Sequence, residues 1–254
     1  MQNTLEGHAS VFHMFEFLFE HGKLLLFGFN VLVFAFVLIS TRKTPAQSDD
    51  DGSVLLVTAH PDDEVMFFAP LLKALRWRKV HILCLSGSNQ VREKEFAMSC
   101  GKLGVSTWSV GKFVDGFDQT WDVDQVATAI GKQAQKMTNL KSVITFDNYG
   151  VSGHPNHIAC WSGCVALANS LPVDKRPNFL FLQSVGLIRK YLGLMDAVAS
   201  VVFGSAPFFL SFDPFFVWRL MEGSYSSQFV WFRRLYVLFS RFVFINTFQL
   251  HAAK

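Results

Sequence analysis

The stretch VLLVTAHPDDEVMFFAPLLKALRWRKVHILCL, residues 54–85, decides the fold. A continuous apolar run over 54–59 ends in a polar loop, a helix-period pattern follows over 65–75, and a second strand-like run fills 80–85. Strand, helix and strand in that order form a βαβ unit. Downstream the same rhythm predicts a helix over 92–103, a helix over 123–137, a strand over 142–146, a helix over 157–168 and a strand over 179–183. Strands alternating with helices predict an α/β fold with a mostly parallel sheet covered on both faces. In such three-layer arrangements function gathers in the loops beyond the carboxyl ends of the strands.

Upstream of this unit lie a linker and an apolar segment. Residues 44–52 (TPAQSDDDG) are rich in Pro, Ser and Asp and read as a linker, so the domain is expected over 53–254. Residues 24–40 (LLLFGFNVLVFAFVLIS) carry no charge. At about 1.5 Å per residue they span about 26 Å, enough to cross a thin bilayer. A signal peptide would begin with a basic region and end at a small-residue cleavage site, whereas Glu6, Glu16 and Glu20 precede this stretch and no A-x-A follows it. A buried soluble helix is the other alternative; length and flanks favour a single transmembrane anchor within residues 1–43. Lys23 stands before the stretch and Arg42 with Lys43 after it, a positive-inside bias that orients the downstream domain to the cytosol.

The 254 residues, 50% hydrophobic and 17% charged with 28 Phe, suit one domain with an extension and exclude a disordered chain. A net charge of +3 without any basic run interleaved with aromatics argues against a nucleic-acid partner, and anionic lipid fits this charge better. Cys84, Cys100, Cys160 and Cys164 have no C-x-x-C spacing and lie in apolar stretches, which predicts buried thiols rather than a disulfide framework. From residue 201 onward Phe, Trp and Arg crowd together, as in FFLSFDPFFVWRL and QFVWFRRLYVLFSRFVF. Arg233, Arg234 and Arg241 interrupt the second run and count against a membrane span. Two readings remain for it: an interfacial membrane helix, or a helix packed on the core.

Chemistry concentrates at two strand ends. Directly after the first strand, Ala59-His60-Pro61-Asp62-Asp63-Glu64 packs an imidazole and three carboxylates into five positions. A lone acidic residue there would read as a helix cap, but this density points to a site. Imidazole and carboxylate suit zinc, and also accept iron or manganese. A catalytic zinc takes three protein ligands and keeps a position for water, so this loop holds part of a set. The second constellation, Gly150-Val151-Ser152-Gly153-His154-Pro155-Asn156-His157, follows the strand ending at Phe146-Asp147. Pro155 fits a first helical turn, and histidines three apart can point the same way. H-x-x-H alone is a weak signal; joined to the first loop at another strand end of the same sheet, it predicts two loops converging on one metal. Of the adjacent Asp62 and Asp63 only one can easily aim at that metal, and the spacing does not say which.

The A-H-P-D-D-E signature with G-V-S-G-H-P-N-H downstream resembles the LmbE-like zinc-dependent de-N-acetylases of sugar conjugates, which implies a Rossmann-like three-layer sandwich. Within that family the chain is similar to the eukaryotic branch acting on N-acetylglucosaminyl-phosphatidylinositol. The similarity includes Val143 to Asp147, Leu182-Gln183-Ser184-Val185 with Arg189-Lys190-Tyr191, and Ser227-Gln228 with Trp231-Phe232-Arg233-Arg234-Leu235-Tyr236. It covers nearly everything after the linker. Asn156, where many bacterial members carry Asp, agrees with the eukaryotic branch.

The resemblance implies His60, Asp63 and His157 as zinc ligands, Asp62 as general base, and His154 as the polarising or proton-donating histidine, protonated when it steadies an oxyanion. It also implies contacts to sugar hydroxyls or phosphate from Arg92 with Glu95 and from Asp115 with Asp118. The activity implied is removal of acetate from that glycolipid, the second step of GPI-anchor biosynthesis, by a single-pass protein of the endoplasmic reticulum membrane with its catalytic domain in the cytosol. Two readings compete. One is a de-N-acetylase of another N-acetylglucosamine conjugate, needing neither residues 1–43 nor a lipid. The other is a metal-binding or membrane-docking interaction protein without turnover, disfavoured by the intact set of His60, Asp62, Asp63, His154 and His157. The sequence implies no particular protein partner.

Overall fold

In β1 (Ser53–Thr58) all six residues are buried, as a parallel strand roofed on both faces requires. β2 (Val80–Ser86) is buried at every position too. This computed structural model describes residues 52–251 apart from 88 and 212. The expected anchor at 24–40, with the rest of residues 1–43 and nearly all of the linker, lies outside the described residues. Among the described residues no helix is long and apolar enough to cross a membrane.

Between β1 and β2 run two short helices, α1 (Asp63–Met66) and α2 (Ala69–Ala74), where periodicity predicts one over 65–75. Pro70 is the physical reason. It lacks an N–H, and inside a helix its ring would strike the carbonyl of Met66, so the helix stops and Pro70 opens the first turn of the next. α3 (Gln90–Leu103) starts at Asn89, whose side chain accepts the Arg92 N–H. It leads into β3 (Thr107–Phe113), a partly exposed edge strand without a clear apolar pattern. α4 (Val123–Gln135), β4 (Leu140–Phe146), α5 (Pro155–Ser170) and β5 (Asn178–Leu182) lie within a few residues of expectation.

With β6 (Phe208–Leu210) and β7 (Ile245–Leu250), the strands form one mixed sheet in the order β3-β2-β1-β4-β5-β7-β6. β1 to β5 pair in parallel, while β7 runs antiparallel to β5 and β6. Strand order reverses between β1 and β4. The chain winds outward from β1 to β3, returns through α4, and starts outward again from β4, so right-handed crossovers place α4 and α5 on the face opposite α1 to α3. α4 packs so closely on α5 that a Cβ at Gly163 would lie 2.3 Å from Val126 Cγ1. At the reversal the loops after β1 and β4 diverge and leave a crevice at the carboxyl edge.

Later in the chain come the helices α6 (Leu187–Tyr191), α7 (Leu194–Phe203), α8 (Pro214–Ser224) and α9 (Trp231–Phe239). Much of the aromatic C-terminal segment belongs to the core: Phe242, Val243, Ile245 and Phe248 are buried, and β7 fills a slot in the sheet. α9 buries Tyr236 and Val237 but exposes Trp231, Phe232, Leu235, Leu238 and Phe239. All four cysteines are buried free thiols.

Arg241 is fully buried. Its Nε donates to Asp196 Oδ2 at 2.5 Å and its Nη2 to Ser200 Oγ at 3.1 Å, while Arg189 Nε holds the other Asp196 oxygen at 2.6 Å. One carboxylate thus ties α7 to the turn before β7. Asp196→Ala leaves a guanidinium buried without its counter-charge and is expected to cost about 3–5 kcal/mol. Urea unfolding of the protein in detergent measures it, and an unchanged midpoint would contradict this account.

Candidate active site

The loop after β1 is shaped by its own carboxylates. Asp63 Oδ2 accepts the backbone N–H groups of Ala59 at 3.0 Å and His60 at 2.8 Å, leaving Oδ1 to face His157 Nε2 at 3.3 Å. Asp62 sits at φ 108°, a conformation L-residues rarely adopt and one that concentrates at functional sites. Glu64 Oε2 accepts the Asp62 N–H at 3.1 Å, while its Oε1 accepts from Ser99 Oγ at 2.6 Å and Tyr225 OH at 2.5 Å. Burial pushes Glu64 up to about 7. The motif's third carboxylate therefore braces the loop from inside.

The loop after β4 turns on Asp147, which accepts the N–H groups of Tyr149, Gly150 and Ser184. Gly150 has φ 61°, and a Cβ there would come within 2.8 Å of His157 Cβ, so no side chain fits. His157 Nδ1–H donates to Gly150 O at 3.0 Å, and its ring stacks on Phe146 with centroids 4.0 Å apart. That tautomer leaves a lone pair on Nε2, which is buried and has no hydrogen-bond partner. His60 Nε2 lies 3.0 Å from both Asn156 Oδ1 and Asp115 Oδ1, two acceptors that place its proton on Nε2 and leave Nδ1 beside Asp63.

His60, Asp63 and His157 can offer ligand atoms within 4.8 Å of one another, all from buried residues. The orphaned His157 Nε2 and the backbone-anchored Asp63 suit a divalent cation, and two imidazoles with one carboxylate make a three-ligand catalytic set. A second combination, His60 with Asp115 and His154, is also close enough, but Asp115 is exposed and already paired with Arg92 Nη1 at 3.0 Å. Burial acts to lower the His60 pKa, yet Asp115 and Asp63 carry it up to about 10: positive charge is strongly favoured where a cation would sit. For Asp63, burial is outweighed by His157 and His60, which hold it well below the usual carboxylate range.

Asp62, Arg92, Asp115 and His154 join these residues around a pocket of about 400 Å³. Burial pushes Asp62 up to about 6, with Asp63 adding to the rise and Arg233, Arg92 and His60 opposing it. At His154 the surroundings work against protonation. Burial, then the neighbouring His157 and His60, carry it down to about 4, and its Nδ1 accepts the Asn156 N–H at 3.2 Å. Those surroundings favour its neutral form, and because Nδ1 accepts, the ring proton then sits on Nε2.

Two residues expected to contact substrate stand apart from this pocket. Asp118 is exposed and does not line this pocket, because the turn closed by Gln119 N–H on Gly116 O carries it aside. Glu95 is buried and engaged with Ser227, accepting its N–H at 2.8 Å and its hydroxyl at 2.7 Å. Conversely, Arg233 Nη2 lies 2.9 Å from Asp62 Oδ2, and Tyr191, Phe232 and Tyr236 line the pocket, roles that the motifs do not assign.

The profile of the family described as PIG-L: GlcNAc-PI de-N-acetylase matches residues 55–168. A Bos taurus N-acetylglucosaminyl-phosphatidylinositol de-N-acetylase is 40% identical over 228 residues, covering 82% of this chain and 87% of that protein. The chain belongs to the GlcNAc-PI de-N-acetylase family. A probable N-acetylglucosaminyl-phosphatidylinositol de-N-acetylase of Schizosaccharomyces pombe is 32% identical over 246 residues, covering 88% of this chain and 98% of that one. Among solved structures, the N,N'-diacetylchitobiose deacetylase from Pyrococcus horikoshii superposes with a TM-score of 0.51 at 16% identity, over 86% of this chain and 91% of that chain, a likeness of fold alone. The GlcNAc-PI de-N-acetylase match runs from β1 through α5 and so brackets both loops, while Arg233 and Tyr236 fall outside it.

If His60, Asp63 and His157 are the ligands, replacing His157 with Ala should weaken metal binding at least about a hundredfold, more than the 10–100-fold typical of an outer hydrogen-bonding residue. Asp62→Asn should leave metal content near wild type. Elemental analysis after dialysis against graded chelator separates the two; equal metal loss in both variants would contradict the division of roles.

Proposed function

We propose that this protein hydrolyses the N-acetyl group of N-acetylglucosaminyl-phosphatidylinositol, giving glucosaminyl-phosphatidylinositol and acetate, with zinc held by His60, Asp63 and His157. The observation that carries this reading is the buried His/Asp/His cluster with Asp62 beside it at the strand-order reversal, in a chain of this family. When bound, zinc supplies Lewis acidity, lowering the pKa of water toward about 7 and drawing charge from a carbonyl oxygen.

The protein's own residues supply the rest. Asp62 takes the proton of the attacking water and returns it to the departing sugar nitrogen; a carboxylate raised to about 6 suits both transfers near neutral pH. Arg233 and Arg92 flank it and favour its charged form between transfers. Neutral His154 donates from Nε2 to the tetrahedral oxyanion, a role that needs no positive charge on the ring. Arg92 and Asp115, paired at the pocket wall, offer donors and acceptors to sugar hydroxyls.

The protein acts in this proposal on the cytosolic face of the endoplasmic reticulum, held by a membrane anchor at residues 24–40. The apolar residues that α9 exposes beside the pocket support a site working against a bilayer, since Phe232 both lines the pocket and is exposed.

Purified protein in detergent should release acetate from the glycolipid, lose that activity on chelation and regain it with zinc. Asp62→Asn, tolerated at positive φ, should lower turnover at least about a hundredfold. Acetate release from a soluble conjugate but not from the glycolipid would overturn the substrate assignment. Because the base must be ionised, kcat/KM should fall as pH drops through about 6. Arg233→Gln removes the leading opposing charge and should move that acid limb to higher pH; a limb that stays put would show that Asp62 is not the titrating group.

A further inference from the structure

A second cavity, of about 610 Å³, adjoins the candidate active site: Ser152 lines both, and Tyr149, Val151, Leu187 and Lys190 are among the residues that line the second. Lys190 is only 9% exposed. Its ammonium, with three protons to donate, reaches one partner at the limit of hydrogen-bonding distance, Val151 O at 3.5 Å, and stands 5.7 Å over the Tyr191 ring. Among the described residues no carboxylate pairs with it. The acidic residue in the lining, Asp147, is already engaged by the N–H groups of Tyr149, Gly150 and Ser184 and by the Ser184 hydroxyl at 2.6 Å. An ammonium withdrawn from water without a counter-charge is costly, and a cavity beside it gives such a charge room to bind.

We propose that this second cavity takes the phosphodiester of the glycolipid, with the Lys190 ammonium as its counter-charge. The inference rests on the substrate proposed above. Leu187, which also lines this cavity, is 73% exposed, and its neighbour Ile188 is 78% exposed. The surface therefore holds a metal-ligating cluster, an adjoining cavity with one buried cation, and exposed apolar side chains next to that cation in the chain. The glycolipid presents an acetamido sugar, an inositol phosphodiester, and acyl chains, one chemistry for each.

The test compares two substrates with full-length protein in detergent: the glycolipid, and an N-acetylglucosaminyl-inositol carrying an alkyl ether in place of the phosphodiester lipid. Lys190→Met should lower kcat/KM on the glycolipid at least about tenfold, mainly through KM, as loss of one charged hydrogen bond implies. It should leave the phosphate-free conjugate within about twofold of wild type, and Lys190→Arg should restore most of the loss. Equal losses on both substrates would make Lys190 a prop for the Val151 carbonyl and overturn the proposal, as would no loss on either. Should Lys190→Met not fold, inorganic phosphate should compete with the glycolipid and not with the phosphate-free conjugate in wild-type protein; competition with both or neither counts against the subsite. If wild type releases no acetate from the glycolipid, the proposed function fails on its own, and the subsite is judged by titrating inorganic phosphate into wild type and Lys190→Arg against Lys190→Met. Binding lost only in the Met variant supports an anion site, and equal binding in all three overturns it. Phosphate binding at Lys190 with unchanged glycolipid kinetics would assign the cavity to a free anion and overturn the phosphodiester assignment.

Discussion

Two backbone N–H groups, those of Ala59 and His60, close on a single oxygen of Asp63, and the geometry of the site follows from that contact. An anchored Oδ2 leaves Oδ1 only one outlook, toward His157. The same contact pulls the chain into a turn tight enough to put Asp62 at φ 108° and start α1 one residue later. Burying this much negative charge at one strand end would be prohibitive without compensation. The compensation is distributed: backbone donors for Asp63, hydroxyls and an amide for Glu64, guanidinium groups for Asp62.

The three acidic residues of one short loop thereby acquire three different characters. Asp63 is held ionised and suited to a cation, Asp62 is raised toward neutrality and suited to proton transfer, and Glu64 is a buried brace. Pairs of titratable groups driven apart by their surroundings are the mark of an acid/base site. The histidines divide in the same way. His60 sits among acceptors and favours positive charge, while burial and the neighbouring His157 and His60 drive His154 toward its neutral form. A cation in the pocket would reinforce that division, since it takes the place of the proton on His60 and repels one on His154.

The C-terminal third completes the pocket rather than merely covering it. β7 inserts antiparallel beside β5, and from it Asn246 accepts the Leu71 N–H and donates to Phe67 O, pinning the break between α1 and α2. Phe67 in turn packs edge-on against the His157 ring at 5.5 Å. The proline that breaks the helix, the strand that returns late in the chain and the orientation of a metal-ligating histidine are thus one connected arrangement. α9 extends it by carrying Arg233 to Asp62 on one side and apolar side chains to solvent on the other.

Much of this was legible before any coordinates. Apolar runs set the central strands, because residues buried on both faces of a parallel sheet leave no polar alternation to misread. His60, Asp62, Asp63, His154 and His157 could be named because each constellation lies within eight consecutive residues at a strand end. β3 leaves no apolar signature because an edge strand is half exposed, and the division of the helix at Pro70 is masked because apolar periodicity runs across the break. What the tertiary structure alone decided are the partners that local sequence cannot reach: Arg233 beside Asp62 and Tyr225 on Glu64, both more than 150 residues away in the chain. It also decided protonation. Sequence shows which groups can titrate, but burial and the charges brought alongside set where each one does, and those exist only once the chain has folded.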